Sequence, residues 1–152
     1  MKPIAVVGLG YVGSVTAASL AARGLQVRGI DRRAAVAEAM NAARPPIDEP
    51  SLDERLARAT SLGTLRCGTD PAMLAECGAS LLCVGTPVGA DGELVVDDLL
   101  TALSEVAEHA PPKHVAVSRS TVPPGLHGRA RALLDAAGRT DIALALNPEF
   151  LR

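Results

Sequence analysis

The sequence predicts an α/β domain in which a doubly wound parallel sheet carries helices on both faces. Two observations carry that prediction. Short runs that are apolar throughout alternate with helical patterns along the chain, and such strands are buried on both faces, as they are when each crossover packs a helix against a parallel sheet. The first apolar run opens directly into a glycine turn and then a helical pattern, the start of a strand, turn and helix unit. With 152 residues, 48% of them hydrophobic, the chain can bury one substantial core, so a single domain over residues 1–152 is expected.

Residues 4–7 read as the first strand, ending in Gly8, and residues 12–23 as an alanine-rich helix stopped by Gly24. Residues 26–30 form a second strand with Asp31 at its end, and 34–43 a helix that cannot outlast Pro45-Pro46. Ser51 is expected to cap the next helix, which runs to about Leu62, with Glu54 three residues on completing a capping box. A short strand at 65–68, a helical turn or two at 71–76 and an apolar strand at 80–84, with Cys83 inside it, lead to Gly85-Thr86-Pro87. Residues 97–109 are amphipathic, with Leu99, Leu100, Leu103, Val106 and Ala107 on one face. A strand at 115–117 ends in residues 118–121, Pro124-Gly125 turns the chain into a helix over 126–137, and 142–146 closes the set as a sixth strand. The chain has no internal repeat, low-complexity tract or linker.

Composition removes several function classes. The formal net charge is -2, and Lys and Arg are scattered, so no basic stripe tracks a phosphate backbone. Tyr11 and Phe150 are the only aromatic residues, which excludes a base-stacking platform. No nucleic-acid partner is expected. Apolar runs such as 79–84 fall far short of the ~20 residues of a membrane-spanning helix, and residues 4–7 are too few for a signal peptide. A soluble, cytoplasmic protein with no membrane partner is the expectation. Cys67, Cys77 and Cys83 have neither C-x-x-C spacing nor a nearby histidine pair, so no metal is expected, and they read as small buried apolar side chains in a reducing compartment.

Ligands of doubly wound sheets sit outside the carboxyl ends of the strands, which directs attention to residues 8–13, 31, 85–87, 118–121 and 147–149. Gly8-Leu9-Gly10-Tyr11-Val12-Gly13 has G-x-G-x-x-G spacing. Gly8 allows the tight turn, Gly10 lets a pyrophosphate approach the backbone without meeting a Cβ, and Gly13 lets helix and strand pack closely. The helix behind them offers unpaired N–H groups and its positive dipole end. With an apolar strand before it, a helix after it and Asp31 about 20 residues on, the motif reads as a dinucleotide site on a Rossmann-type fold. Asp31 can accept from both ribose hydroxyls and repels a 2′-phosphate, which favours NAD over NADP. Arg32 and Arg33 read as solvated residues opening a helix; NADP is the alternative if one of them holds the extra phosphate.

Five blocks resemble, in order and spacing, the N-terminal domain of the UDP-glucose/GDP-mannose dehydrogenase family. They are Val6-Val7-Gly8-Leu9-Gly10-Tyr11-Val12-Gly13, Pro46-Ile47-Asp48-Glu49-Pro50, Leu82-Cys83-Val84-Gly85-Thr86-Pro87, Arg119-Ser120-Thr121-Val122-Pro123-Pro124-Gly125 and Asn147-Pro148-Glu149-Phe150-Leu151-Arg152. The resemblance implies an enzyme that oxidises the C6 alcohol of a nucleotide-linked sugar to a carboxylate with two NAD, through an aldehyde and a cysteine thioester. It implies backbone contacts to NAD at Tyr11 and Val12, a ribose acceptor at Asp31, a cofactor contact at Thr86, and Thr121 beside the nicotinamide and a catalytic water. Glu149 is implied to contact substrate and to position or deprotonate the water of thioester hydrolysis. Read without the family, Thr121 bonds its own proline turn and Glu149 is a solvated residue.

This chain departs from the family where many members carry Lys or Arg five positions after the ribose aspartate; here that position is Val36, and cofactor affinity depends on whether Arg32 or Arg33 supplies the charge. Ser51 replaces a customary glycine and Leu126 a customary threonine, with local effects expected. The family's central helix, second nucleotide-fold domain and thioester cysteine have no counterpart in these residues, and none of Cys67, Cys77 or Cys83 matches that nucleophile. An excised or truncated NAD-binding domain, inactive alone, dimeric or larger at full length, with apolar surface exposed near its C-terminal end, is therefore the expectation. The alternatives are a freestanding NAD-binding module, and the N-terminal domain of a β-hydroxyacid or 6-phosphogluconate-type dehydrogenase. Within the family, the Arg119 and Asn147 blocks lean towards GDP-mannose over UDP-glucose.

Overall fold

A computed structural model describes residues 1–149. The chain runs β1 (Ile4–Val7), α1 (Tyr11–Ala22), β2 (Val27–Ile30), α2 (Ala34–Asn41), α3 (Leu52–Leu62), β3 (Leu65–Gly68), a 3₁₀ helix (Pro71–Glu76), β4 (Ala79–Leu82), α4 (Asp97–His109), β5 (Val115–Ser118), α5 (Leu126–Ala136) and β6 (Ala143–Leu146). The strands form one sheet in the order β3-β2-β1-β4-β5-β6, and every pairing is parallel. This is the doubly wound arrangement the sequence predicts, with the reversal of strand order between β1 and β4.

Two cores sandwich the sheet. On one face α1, α2 and α3 bury Val6, Leu9, Ala17, Ala21, Met40, Leu52 and Leu56 against β1 to β3. On the other, α4, α5 and the 3₁₀ helix bury Ala5, Val7, Leu82, Leu99, Leu103, Val106, Ala116 and Leu134. With so few aromatic residues the helices close in on small side chains. Helix α1 presents Gly13, Ser14, Ala17, Ala18, Ala21 and Ala22 as its buried positions, and it packs on α3 as well as on the sheet.

Two sequence expectations need correction. Ser51 does not cap α3 through its hydroxyl; it adopts a left-handed backbone (φ 61°) with no side-chain cap bond. The backbone supplies what the hydroxyl does not, since Leu52 N donates to Glu49 O at 3.2 Å and Arg55 N to Ser51 O at 3.2 Å. A left-handed residue is where glycine sits without cost, which gives the family's customary glycine its physical reason. Cys83 lies just past β4 rather than within it, although its N–H still donates to Val7 O at 2.7 Å. Arg33 is exposed at the N-cap of α2, as expected of a solvated residue opening a helix.

Candidate functional site

The carboxyl ends of β1, β2 and β4 enclose a cleft of about 220 Å³ whose walls include Gly8, Gly10, Asp31, Arg32, Arg33, Gly85 and Asp98. Gly8 turns the chain out of β1 with φ +86°, and a Cβ there would stand 2.9 Å from Cys83 O. A Cβ on Gly13 would fall 1.8 Å from Gly8 O, so close packing of α1 on the turn requires glycine at that position. Gly10 differs from both, because a Cβ on it would meet nothing within 4 Å. Nothing inside the protein demands a glycine there, and the open space lies on the cleft. Gly10 is the N-cap of α1; Tyr11 and Val12 form its first turn, whose N–H groups have no partner inside the helix. These residues fit a bound dinucleotide diphosphate.

Asp31 ends β2 with its side chain buried. Its Oδ2 accepts from Leu9 N at 2.7 Å, tying the carboxylate to the glycine turn, and its Oδ1 accepts from Arg33 N at 2.9 Å. The Arg33 guanidinium folds back onto the same carboxylate, Nε to Oδ1 at 3.1 Å. Burial alone pushes the Asp31 carboxyl up; the hydrogen bonds from Arg33 and Leu9 and the Arg33 charge outweigh it and hold the group below the ordinary carboxylate range. Arg33 Nη2 also donates to Oδ2 at 3.3 Å, so all of the roughly four lone-pair sites of the carboxylate are engaged, and a ribose hydroxyl gains access to Asp31 only as the exposed Arg33 guanidinium swings away. Arg32 reaches Asp98 on α4 at 3.1 Å. Val36 packs against the core under α2, and the charge beside Asp31 is that of Arg33. Only the Asp-x-Arg spacing could have hinted at it.

A second group gathers at the ends of β4, β5 and β6. Thr86 Oγ1 donates to Thr121 O at 2.8 Å, and Thr121 Oγ1 donates to Glu149 O at 3.4 Å. Arg119, at the end of β5, donates to Asn147 Oδ1 at 2.6 Å and to the Glu149 carboxylate. Thr121 is exposed, whereas Glu149 is partly buried. Thr121 bonds across to the β6 end rather than to its own proline turn, and Glu149, still part-exposed, is ion-paired with Arg119. Sequence reasoning missed Arg119 as the residue that orients Glu149. Gly8, Gly10, Gly13 and Asp31 thus meet at one end of the reversal, and Thr86, Thr121 and Glu149 at the other. The last three residues of the Asn147 block, Phe150, Leu151 and Arg152, lie outside the described residues.

Cys83 lines the cleft, but burial pushes its thiol up to about 12, which leaves it inert as a nucleophile.

Over residues 2–152 the chain matches the profile described as the UDP-glucose/GDP-mannose dehydrogenase family, NAD binding domain. The chain belongs to that family. Of the curated relatives, a GDP-mannose 6-dehydrogenase from Pseudomonas savastanoi pv. phaseolicola is 38% identical over 98% of this chain and 36% of its own length. The UDP-glucose 6-dehydrogenase YwqF of Bacillus subtilis is 36% identical over 98% of this chain and 34% of its own length. Among solved structures, a ternary complex of GDP-mannose dehydrogenase from Pseudomonas aeruginosa superimposes with a TM-score of 0.92 at 35% identity, covering 100% of this chain and 37% of that one. The chain therefore spans about a third of the length of the dehydrogenases it matches, and the match favours that family over the β-hydroxyacid and 6-phosphogluconate types. Among the described residues, no helix is long and apolar enough to cross a membrane.

Proposed function

We propose that this chain is the NAD-binding part of a nucleotide-sugar 6-dehydrogenase in which a central helix and a second domain bearing the thioester cysteine follow residue 152. The observation that carries the reading is Gly10, a glycine with no internal reason to be one, facing a cleft floored by a buried carboxylate. The diphosphate of NAD lies against Gly10 and the first turn of α1, with Tyr11 and Val12 donating backbone N–H groups. Gly8 and Gly13 shape the turn, and Asp31 accepts from the adenosine ribose. Thr86 and Thr121 line the nicotinamide end.

Converting a CH₂OH group to a carboxylate releases two hydrides and consumes one water, and NAD supplies the acceptor for each hydride. Thr121 and Glu149 hold that water between the ends of β5 and β6. Because Arg119 compensates the Glu149 charge, Glu149 acts chiefly by orienting the water. On the sheet face opposite α5, the exposed residues Val115, Ala143 and Ala145 call for a covering element, consistent with a following helix and a dimer or larger assembly at full length. GDP-mannose is the preferred sugar nucleotide, ahead of UDP-glucose. The protein acts in the cytoplasm.

The test is turnover by the complete gene product, followed as NADH absorbance with GDP-mannose and with UDP-glucose. Two NADH per sugar are expected from that product and none from the 152-residue chain. In the complete product, Thr121→Ala and Glu149→Gln each lower kcat by about 100-fold, the lower end of what loss of a water-handling group costs. Turnover by the short chain, or variants as fast as wild type, contradicts the reading.

A further inference from the structure

The Pro46-Ile47-Asp48-Glu49-Pro50 block has no task in the chemistry described above. We propose that Glu49 is a positioning residue for the dinucleotide site, acting through the Tyr11 hydroxyl to hold the first turn of α1 in the conformation that receives the diphosphate. The proposal rests on the NAD-binding reading.

Helix α1 starts without the usual restraints. Its N-cap is Gly10, which has no side chain to cap with, and its first turn holds no acidic residue. Such a turn is the part of a helix that frays first, yet here it must present N–H groups in fixed directions. Ser14 Oγ, one turn on, donates to Gly10 O at 2.7 Å and lies 3.3 Å from Tyr11 O, which steadies the carbonyls. Nothing equivalent holds residue 11 through packing, since Tyr11 is 48% exposed. What holds it is a tertiary bond, in which the Tyr11 hydroxyl donates to the Glu49 carboxylate 38 residues away.

Glu49 is itself well supported. Ile47, two residues before it, packs on the core beneath α1 and α3. The Glu49 carbonyl accepts from Leu52 N at 3.2 Å, and Leu52 is fully buried. The left-handed backbone of Ser51 completes the reversal that leads into α3. The loop is thus a bracket built between α2 and α3, and Glu49 is where it meets the cofactor turn. Its hydrogen bond, with the nearby negative charge, pushes the Tyr11 phenol up, so the hydroxyl keeps its proton and remains a donor through the neutral range.

The experiment measures NAD affinity by calorimetry, and thermal unfolding without ligand, for this chain and for Tyr11→Phe, Glu49→Ala, Glu49→Gln and the Tyr11→Phe/Glu49→Ala double variant. Tyr11→Phe and Glu49→Ala each weaken NAD binding about three- to tenfold, the worth of one net hydrogen bond. The double variant binds no more weakly than the poorer single, because both remove the same bond. Glu49→Gln keeps an acceptor and recovers most of the affinity. A contact that merely stabilised the fold would lower the unfolding temperature and leave the affinity of folded protein unchanged. Tyr11→Phe removes one half-exposed oxygen and decides the matter even if Glu49→Ala fails to fold. Wild-type affinity in Tyr11→Phe, or additive losses in the double variant, overturns the proposal. Failure of wild type to bind NAD overturns the cofactor reading as well, and is seen separately.

Discussion

Substituting alanine at Gly10 and at Gly13 separates a glycine kept for a ligand from one kept for packing. The Cβ of Gly13→Ala would stand 1.8 Å from Gly8 O and 3.2 Å from the Cys83 Cβ. The nearer atom is backbone, so α1 or the turn must move. Overpacking of that kind costs about 1–3 kcal/mol, which for a domain of this size lowers the unfolding temperature by roughly 2–12 °C. Gly10 has φ -74° and ψ -154°, a backbone any residue adopts, and an added Cβ finds no neighbour within 4 Å. Alanine there stiffens the unfolded chain, worth about 0.4–1 kcal/mol, and loses a comparable amount as a poorer N-cap than glycine. The two nearly cancel, and the unliganded unfolding temperature should stay within about 2 °C of wild type. The same methyl group stands where the diphosphate must come. Losing one charge-assisted bond to a first-turn N–H weakens NAD binding by about 10- to 100-fold. Differential scanning fluorimetry with and without NAD reads both quantities. Gly10→Ala should unfold like wild type and lose most of the NAD-induced shift. A Gly10→Ala protein that binds NAD normally, or a Gly13→Ala protein as stable as wild type, would refute the assignment of these glycines.

Ser51→Gly should raise stability by about 0.5–1 kcal/mol, because the left-handed conformation at φ 61° burdens any residue with a Cβ; chemical denaturation measures it, and a loss of stability contradicts it. Buried His114 donates from Nδ1 to Cys77 O at 3.2 Å, since a carbonyl only accepts, so Nε2 accepts from Ser80 Oγ at 3.0 Å. Burial holds its pKa below the ordinary 6.5, so the stability of the neutral form is fully present above the unfolded value and is lost as pH falls below it towards the folded value. His114→Gln should flatten urea midpoints between pH 7 and 5 relative to wild type, and an unchanged slope contradicts the mechanism. Burial pushes the thiols of Cys67 and Cys83 up to about 12 and that of Cys77 to about 11. Alkylation by iodoacetamide at pH 7.5 should therefore be at least about 100-fold slower folded than in denaturant, and one fast-reacting thiol in the folded protein would contradict this.

The sheet was legible because its signals are local. Each apolar run reads as a strand, and Gly8 and Asp31 mark strand ends through their own chemistry. What stayed hidden depends on residues distant in the chain. The pairing of Arg119 with Glu149 needs β5 beside β6, a fact of strand order rather than of either motif. Gly29 is glycine because a Cβ there would lie 2.6 Å from Cys67 Sγ, a contact that arises only once β2 and β3 are in register. Ser51 was misread because a serine before a helix suits two backbone states, and only the path of residues 47–51 selects the left-handed one. Arg33 is solvated and opens α2 as the sequence suggests; its ion pair with Asp31 stayed hidden because an arginine free in solvent and one folded onto a carboxylate two residues away have the same sequence.

Calorimetric titration of NAD into the folded 152-residue chain tests the central claim most directly. Saturable heat at one NAD per chain, abolished by Asp31→Ala in protein that unfolds cooperatively, is the predicted result. A flat titration with millimolar NAD, or undiminished binding by Asp31→Ala, would contradict it.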